Sequence, residues 1–306
     1  MDDPNFLIIG TAAGGTSFLA EKLIQHPEIY LPKEMRPEPH FFYKSWEYDK
    51  GLDYYRNRWF ASVPKTSIAI GERSSSYLFG GREVAARVQL AYPDMRFIAV
   101  LRNPIERTWA NYRYTVLEGL EDLPFMEALA QEKSRIAQQH GIWAEIQPFN
   151  YTGRGFYAQQ ILAYLDFFPK DAMLFVKSED LASRTPEALV NIMQFLGLSI
   201  TDFHFDSATD HTSVDVRDPR LQKQLRDSIG EPYDRLVEAV RRNEFDEVVA
   251  KEAIDPELIH LFESNFMSDK SIMSDDARSY LEEIFTEEIE LLASLVPFDV
   301  SDWLTA

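Results

Sequence analysis

The sequence predicts an α/β fold, a single domain whose central parallel sheet is flanked by helices and carries an anion-binding turn, followed by a helical C-terminal region. Three observations predict it. Four short apolar runs are separated by stretches of helical spacing, the first run leads through a glycine-bearing turn into a helix, and beyond residue 215 only helical patterning remains.

Phe6-Leu7-Ile8-Ile9-Gly10 is the first strand, because an unbroken apolar run suits a strand buried on both faces. Gly14, Gly15, Thr16 and Ser17 follow, and Phe18 to Gln25 read as a helix with Leu19 and Leu23 on one face. Strand, turn and helix in this order place backbone N–H groups and a helix N-terminus around an anion. Residues 26–60 are rich in proline and aromatics, and Pro27, Pro32, Pro37 and Pro39 exclude a long helix. Ser67-Ile68-Ala69-Ile70-Gly71 is the second strand, ending at Glu72. Phe97-Ile98-Ala99-Val100-Leu101 is the third, ending at Arg102, with Pro104 placed to start the next helix. Tyr157, Ile161, Leu165 and Phe168 recur at helical spacing before the fourth strand, Met173-Leu174-Phe175-Val176. Thr185-Pro186 opens a helix carrying Leu189, Ile192, Met193 and Leu196, which Gly197 closes. An acidic amphipathic helix around residues 277–296 comes last, and there is no internal repeat.

The chain has no cysteine, which excludes disulfides, thiolate catalysis and Cys-ligated metal sites. Its six histidines show no ligand-spaced pair, so no metal is expected. No apolar run approaches the roughly 18 residues that span a bilayer. The start, Met1-Asp2-Asp3-Pro4-Asn5, is acidic and runs directly into a strand, so a cytoplasmic protein with no signal peptide and no membrane association is expected. The net charge of −19 is unevenly spread. Residues 1–200 hold 24 acids and 21 bases, net −3, whereas residues 201–306 hold 26 acids and 10 bases, net −16. Such a field repels polyanions, so no nucleic-acid partner is expected.

Ligands of open parallel sheets bind beyond the carboxyl ends of the strands. Three of the four strands end in chemistry there: the Gly10–Ser17 turn, Glu72 and Arg102. Gly10 to Gly15 matches the G-x-x-x-x-G part of a nucleotide-triphosphate loop, but Thr16 stands where that motif requires lysine, and no paired aspartates wait at the strand ends for magnesium. Both points disfavour a kinase or ATPase.

The run Phe6 to Ser17, then His26-Pro27-Glu28-Ile29, then Glu38-Pro39-His40-Phe41-Phe42 resembles the start of the sulfotransferase family. Gly71-Glu72-Arg73-Ser74-Ser75-Ser76-Tyr77-Leu78 is similar to that family's Gly-Glu-x-x-Pro-x-Tyr segment, and Leu101-Arg102-Asn103-Pro104 to its 3′-phosphate turn. Gly155-Phe156-Tyr157, Phe168-Pro169, Ser178-Glu179-Asp180-Leu181, Phe195-Leu196-Gly197-Leu198 and Asp299-x-Ser301-x-Trp303-Leu304 continue the likeness in order.

The resemblance implies a P-loop-like phosphosulfate-binding turn and the co-substrate 3′-phosphoadenosine 5′-phosphosulfate (PAPS), leaving as PAP, with no metal. It also implies that residues 1–306 form one sulfotransferase domain, residues 1–200 its nucleotide-binding core and residues 201–306 an acidic helical region completing the acceptor side. Gly10, Thr11, Ala12, Ala13, Gly14, Gly15, Thr16 and Ser17 would wrap the phosphosulfate. Arg102 would hold the 3′-phosphate and Glu72 would be the general base. His40 would assist as a base or orient Glu72, with simple packing the alternative. Plain ion pairs, Glu72 with Arg73 or Arg102 and Arg102 with Glu106, are the alternatives for those two residues.

The departures fall on the co-substrate. Relatives carry lysine where this chain has Ala13, and serine where it has Ala110, beside which Asn111 offers a substitute donor. Lys33, Arg36 and Arg73 are candidates to return the missing cation. Phe41, Phe42 and Trp46 would line an acceptor pocket, Trp46 offering its face to a cation, or else serve as core. The acidic field favours a small neutral or cationic acceptor, a hydroxylated or amine-bearing natural product, over an anionic polysaccharide. His211-Thr212-Ser213 would begin a co-substrate loop, and a homodimer stays open. The competing readings are an inactive relative that binds PAP as sensor or scaffold, and a small-molecule kinase.

Overall fold

In the computed structural model, which describes residues 3–33, 37–199, 214–267 and 271–304, five strands build the sheet. They are β1 (Phe6–Gly10), β2 (Ile29–Tyr30), β3 (Ala69–Arg73), β4 (Arg96–Leu101) and β5 (Met173–Lys177). Their order is β2-β3-β1-β4-β5, and every pairing is parallel. A five-stranded parallel sheet flanked by helices is the predicted α/β class.

Contacts divide the chain into two compact units, one of residues 1–107, 154–207 and 284–306, the other of residues 108–153 and 208–283. The sheet belongs to the first. Phe6 and Ile8 of β1 and Ile98 and Val100 of β4 point to one face, where they meet Leu19 and Leu23 of the helix Thr16–Leu23. Leu189, Ile192, Met193 and Leu196 of the helix Thr185–Leu196 join the same cluster. Pro186 lies in that helix's first turn and Gly197 closes it at φ 77°, a left-handed cap that glycine takes without penalty. On another side of the unit Phe41, Phe42, Tyr55 and Tyr77 pack ring against ring, none more than 1% exposed.

The second unit is built mainly of helices around Leu117, Leu225, Tyr233, Leu236, Val237 and Phe262. Its buried Gln222 donates to the Leu117 carbonyl and to Tyr233 Oη, and accepts from Asn265 Nδ2 at 2.9 Å. Asp218 and Asp255 cap the helices Pro219–Ile229 and Pro256–Ser264 through their side chains.

The structure corrects three sequence expectations. The second strand lies two residues later than its apolar run, because half-exposed Ile68 stays outside while Gly71, Glu72 and Arg73 pair with Phe6, Leu7 and Ile8. Three short strands were missed. Ile29–Tyr30 extends the sheet, and Asp215–Val216 (β6) pairs antiparallel with Phe266–Met267 (β7) in a region read as purely helical. A two-residue ladder has no period to detect.

Candidate active site

The turn after β1 is shaped by close approach. Gly14 N–H bonds the Thr11 carbonyl at 2.9 Å, and a Cβ at Gly14 would meet Thr11 Oγ1 and lie 2.9 Å from the Val100 carbonyl. Ala13 takes the left-handed conformation at φ 63°, and its carbonyl accepts from Arg102 Nη1 at 3.2 Å. Gly15, at φ 100°, leads into the helix Thr16–Leu23, whose amide bonding back to the turn begins with Leu19 N–H on the Gly15 carbonyl. The amides of the first turn before it have no intrahelical acceptor and are available to an anion. Thr16 is buried and Gly15 exposed, so one side of the turn packs while the other is open.

Arg102 follows β4, half-buried, and its own carbonyl accepts from Tyr157 Oη at 3.0 Å. The neighbouring Asn103 is locked by bonds to the Trp303 carbonyl and the Ile105 amide. The guanidinium thus starts from a fixed base and reaches back to the turn.

Two carboxylates lie on the β3 side of β1, one within β3 and one bonded to the residues that follow it. Glu72, inside β3, is fully buried and accepts from Tyr55 Oη at 3.2 Å and Ser74 Oγ at 2.9 Å, with Tyr77 adding a further hydroxyl. Burial pushes its carboxyl up to about 7, against the pull of those three hydroxyls and with help from the charge of Glu38. The ion pair with Arg73 or Arg102 offered as its alternative role is not its environment. Arg73, 7% exposed, pairs instead with Glu38.

Glu38 gathers the rest of the cluster. Its carboxylate meets Arg73, lies 3.1 Å from His40 Nε2, and accepts from the Ser75 amide at 2.7 Å and Ser75 Oγ at 2.8 Å. Burial works to raise it, but His40, Arg73 and Ser75 together hold it below the usual carboxylate range. The Ser75 carbonyl in turn would be 3.4 Å from a Cβ on Gly10, so Glu38 borders the turn through one residue. Unlike Glu72, its side chain keeps 14% of its surface open.

His40 sits in a left-handed backbone conformation at φ 46°, unusual away from glycine and characteristic of functional positions. Burial pushes its imidazole down to about 4, against the charge of Glu38, so it is neutral near pH 7. Its Nδ1 is buried without a partner among the described residues, and its backbone N–H donates to Ser74 Oγ at 2.8 Å. Its link toward Glu72 therefore runs from the backbone through that serine, while its imidazole faces Glu38. Arg154 completes the cluster, donating to Ser76 Oγ at 3.2 Å and stacking over Phe79.

The remaining candidates fall elsewhere. Phe41 and Phe42 are core residues, 1% and 0% exposed, because their rings are consumed by Tyr48, Tyr55 and Tyr77. Trp46 is half-buried with Lys44 over its ring at 5.6 Å, and Lys33 is exposed. Asn111 belongs to the second unit, where its Nδ2 donates to Thr115 Oγ1. Arg36 and His211-Thr212-Ser213 lie outside the described residues. Sequence reasoning missed the supporting groups: Glu38 as a working carboxylate, Tyr55 and Arg154. The serine run 74–76 directly after a strand was a usable signal for hydroxyl donors at the site. Tyr55 and Arg154 gave none, because each reaches the site only through the fold.

Among the described residues no cluster of three or more His, Asp or Glu could hold a metal, and no helix is long and apolar enough to cross a membrane.

Comparison with known proteins gives a consistent picture. Residues 3–252 match the family model of the sulfotransferase domain. Human heparan sulfate glucosamine 3-O-sulfotransferase 3B1 is 36% identical over 207 residues, 66% of this chain and 48% of that protein. The mouse heparan sulfate glucosamine 3-O-sulfotransferase 6 is 33% identical over 250 residues, 78% of this chain and 66% of that protein. The chain thus spans about half to two-thirds of the length of these curated relatives. A crystal structure of a sulfotransferase from Alicyclobacillus acidocaldarius superposes with a TM-score of 0.70 at 26% identity, covering 99% of both chains.

Proposed function

The chain belongs to the sulfotransferase domain family, and from that premise we propose that it transfers a sulfuryl group from PAPS to a hydroxyl or amine of a small acceptor. One observation supports the reading: an open glycine-bearing turn at a helix N-terminus, tied to Arg102, lies next to the strand at whose end two buried carboxylates of opposite character gather.

The residues present fit the co-substrate. The turn offers first-turn amides and the hydroxyls of Thr16 and Ser17 to a phosphosulfate, and Arg102 offers a guanidinium fork to the 3′-phosphate. When bound, PAPS supplies the activated sulfuryl group. The donors of the turn would stabilise charge on the leaving phosphate, the kind of contribution that usually dominates catalysis. Ala13 brings no cation there, and Arg73 is held by Glu38, so Arg154 and Arg73 act at most from the cluster's side.

Two carboxylates can take the acceptor's proton. Glu72 titrates near 7, which suits a base working at neutral pH. Glu38 is the second candidate, favoured by its open surface, since Glu72 has none. His40 touches the surroundings of both, its backbone N–H bonding the Ser74 hydroxyl that donates to Glu72 and its ring meeting Glu38.

Thermal melting with PAP, PAPS and magnesium-ATP titrated separately tests the nucleotide. A ligand specific to the folded state adds about 2.7 kcal/mol at a hundredfold excess over its Kd. Stabilisation by PAP and PAPS alone is expected, and indifference to both overturns the proposal. Glu72→Gln and Glu38→Gln are each expected to keep the PAP response while losing turnover by roughly 10²–10⁴-fold if that residue is the base. PAP binding with no transfer to any hydroxyl or amine would instead identify a sensor or scaffold.

The acceptor has a second reading. The relatives named above are heparan sulfate enzymes, which points to a polysaccharide, whereas the net charge of −19 opposes a polyanion. Parallel assays with heparan sulfate and a panel of small phenols and amines separate the two.

A further inference from the structure

The second unit holds a cavity of about 410 Å³ lined by aromatic rings and arginines, although residues 208–283 that supply half of it carry 19 acids against 10 bases. Its volume lies within the range of small-molecule sites, about 300–1,000 Å³. One wall is aromatic. Trp109 and Tyr112 stack with ring centres 5.5 Å apart and planes 17° off parallel, and Phe125 packs edge-on to Trp109 at 4.8 Å. Val116, one turn further along the same helix face, and Met267 extend the apolar surface.

The polar groups around this wall do not cancel. Asp215, almost fully buried, is neutralised by Arg113 and accepts from the amide and hydroxyl of Ser271. Asp218 is engaged as the cap of the helix Pro219–Ile229, accepting from the Arg220 and Leu221 amides. Asp122 is paired with Lys223 at 2.9 Å. Each lining carboxylate thus has a partner. Arg217 and Arg220 also line the cavity, both exposed, and their guanidinium groups bond no other described residue. A flat apolar slot with two open guanidinium forks at its edge is complementary to an aromatic ring bearing an anion.

We infer that the cavity walled by Trp109, Tyr112 and Phe125 binds an aromatic anion, its ring against the Trp109–Tyr112 face and its carboxylate or sulfate on Arg217 and Arg220. The aromatic wall supplies the apolar contact and the arginines select the charge. The remaining acidity of the unit disfavours larger polyanions there. The inference stands apart from sulfuryl transfer and survives if that proposal fails.

Titration calorimetry of the full chain with 2-naphthoate, and separately with neutral 2-naphthalenemethanol, tests it. Saturable one-to-one binding of the naphthoate is expected, at least tenfold tighter than that of the alcohol. Arg217→Gln combined with Arg220→Gln changes only exposed side chains, so folding is preserved. That pair should abolish the preference for the anion while leaving the alcohol unaffected. Trp109→Leu should weaken both ligands. Equal affinity for acid and alcohol, full naphthoate binding in the double arginine variant, or no heat from either ligand at about 1 mM, a Kd that corresponds to only the weakest useful affinity, would overturn the inference.

Discussion

A carboxyl buried among three hydroxyls is a different reagent from one on a surface, and Glu72 has a consequence that can be measured without knowing any substrate. Its folded pKa of about 7 lies above the ordinary 4.5, so the folded chain holds this proton more tightly than the unfolded chain. The stability it confers is complete at pH values below 4.5 and is lost as the pH rises through about 7. A shift of this size corresponds to something on the order of 3 kcal/mol. Glu288, also raised to about 7 by burial, acts over the same window. Melting temperatures should therefore fall between pH 5 and pH 8, and Glu72→Gln should flatten part of that fall. An unchanged slope would mean that Glu72 is already ionised at pH 5 in the folded protein. If Glu72 is the base, kcat/KM should also rise with pH through about 7, whereas a base at Glu38, held low by Arg73 and His40, predicts a profile already flat by then. Among these residues, Glu72, His40 and Arg102 were legible as candidates from their places in short motifs. Their partners were not, since Tyr55 bonds Glu72 from 17 positions away and Arg154 acts on His40 from 114 positions away, and only the fold brings either pair together.

The element with the most exacting geometry is the turn between β1 and its helix. Gly14 has no room for a side chain, with the Val100 carbonyl 2.9 Å from where a Cβ would sit and Thr11 Oγ1 closer still. Gly14→Ala should keep the sheet but displace the turn, weakening PAP binding tenfold or more in the melting assay. Retained PAP affinity would show that the turn does not hold the nucleotide. Gly71 in β3 is tight for a different reason, since a Cβ there would press on Phe6 of the adjacent strand at 2.5 Å. Gly71→Ala should therefore destabilise the fold itself, and its melting temperature should fall whether or not PAP is present. Phe42→Ala, in the aromatic core, should cost about 3–5 kcal/mol, whereas a residue lining an open pocket would cost far less. Strands β1, β4 and β5 were readable because each is a continuous apolar run between a turn and a helix. The edge of β3 was not, because Glu72 and Arg73 look like loop residues until a neighbouring strand claims their backbone.

At the scale of the molecule, the net charge bears on the choice between the two acceptor readings. With a net charge of −19, the protein is expected to pass through heparin resin unretained at about 0.15 M salt, where the screening length is near 8 Å. Retention under those conditions would reveal a basic cleft strong enough to override the global field and would move the acceptor reading toward polysaccharide.

The order of apolar runs, turns and helix signals along the chain was enough to reveal the sheet, the glycine-bearing turn after β1 and the family, because each of these is written in contiguous residues. Backbone geometry is local, and a strand, a glycine turn and a helix start need only their own neighbours. Which carboxylate is pushed up and which is held low was decided by the tertiary structure. So were the core role of Phe41 and Phe42 and the aromatic cavity with its two open arginines. Burial and electrostatic pairing depend on what the fold brings alongside, and residues distant in sequence supply most of it.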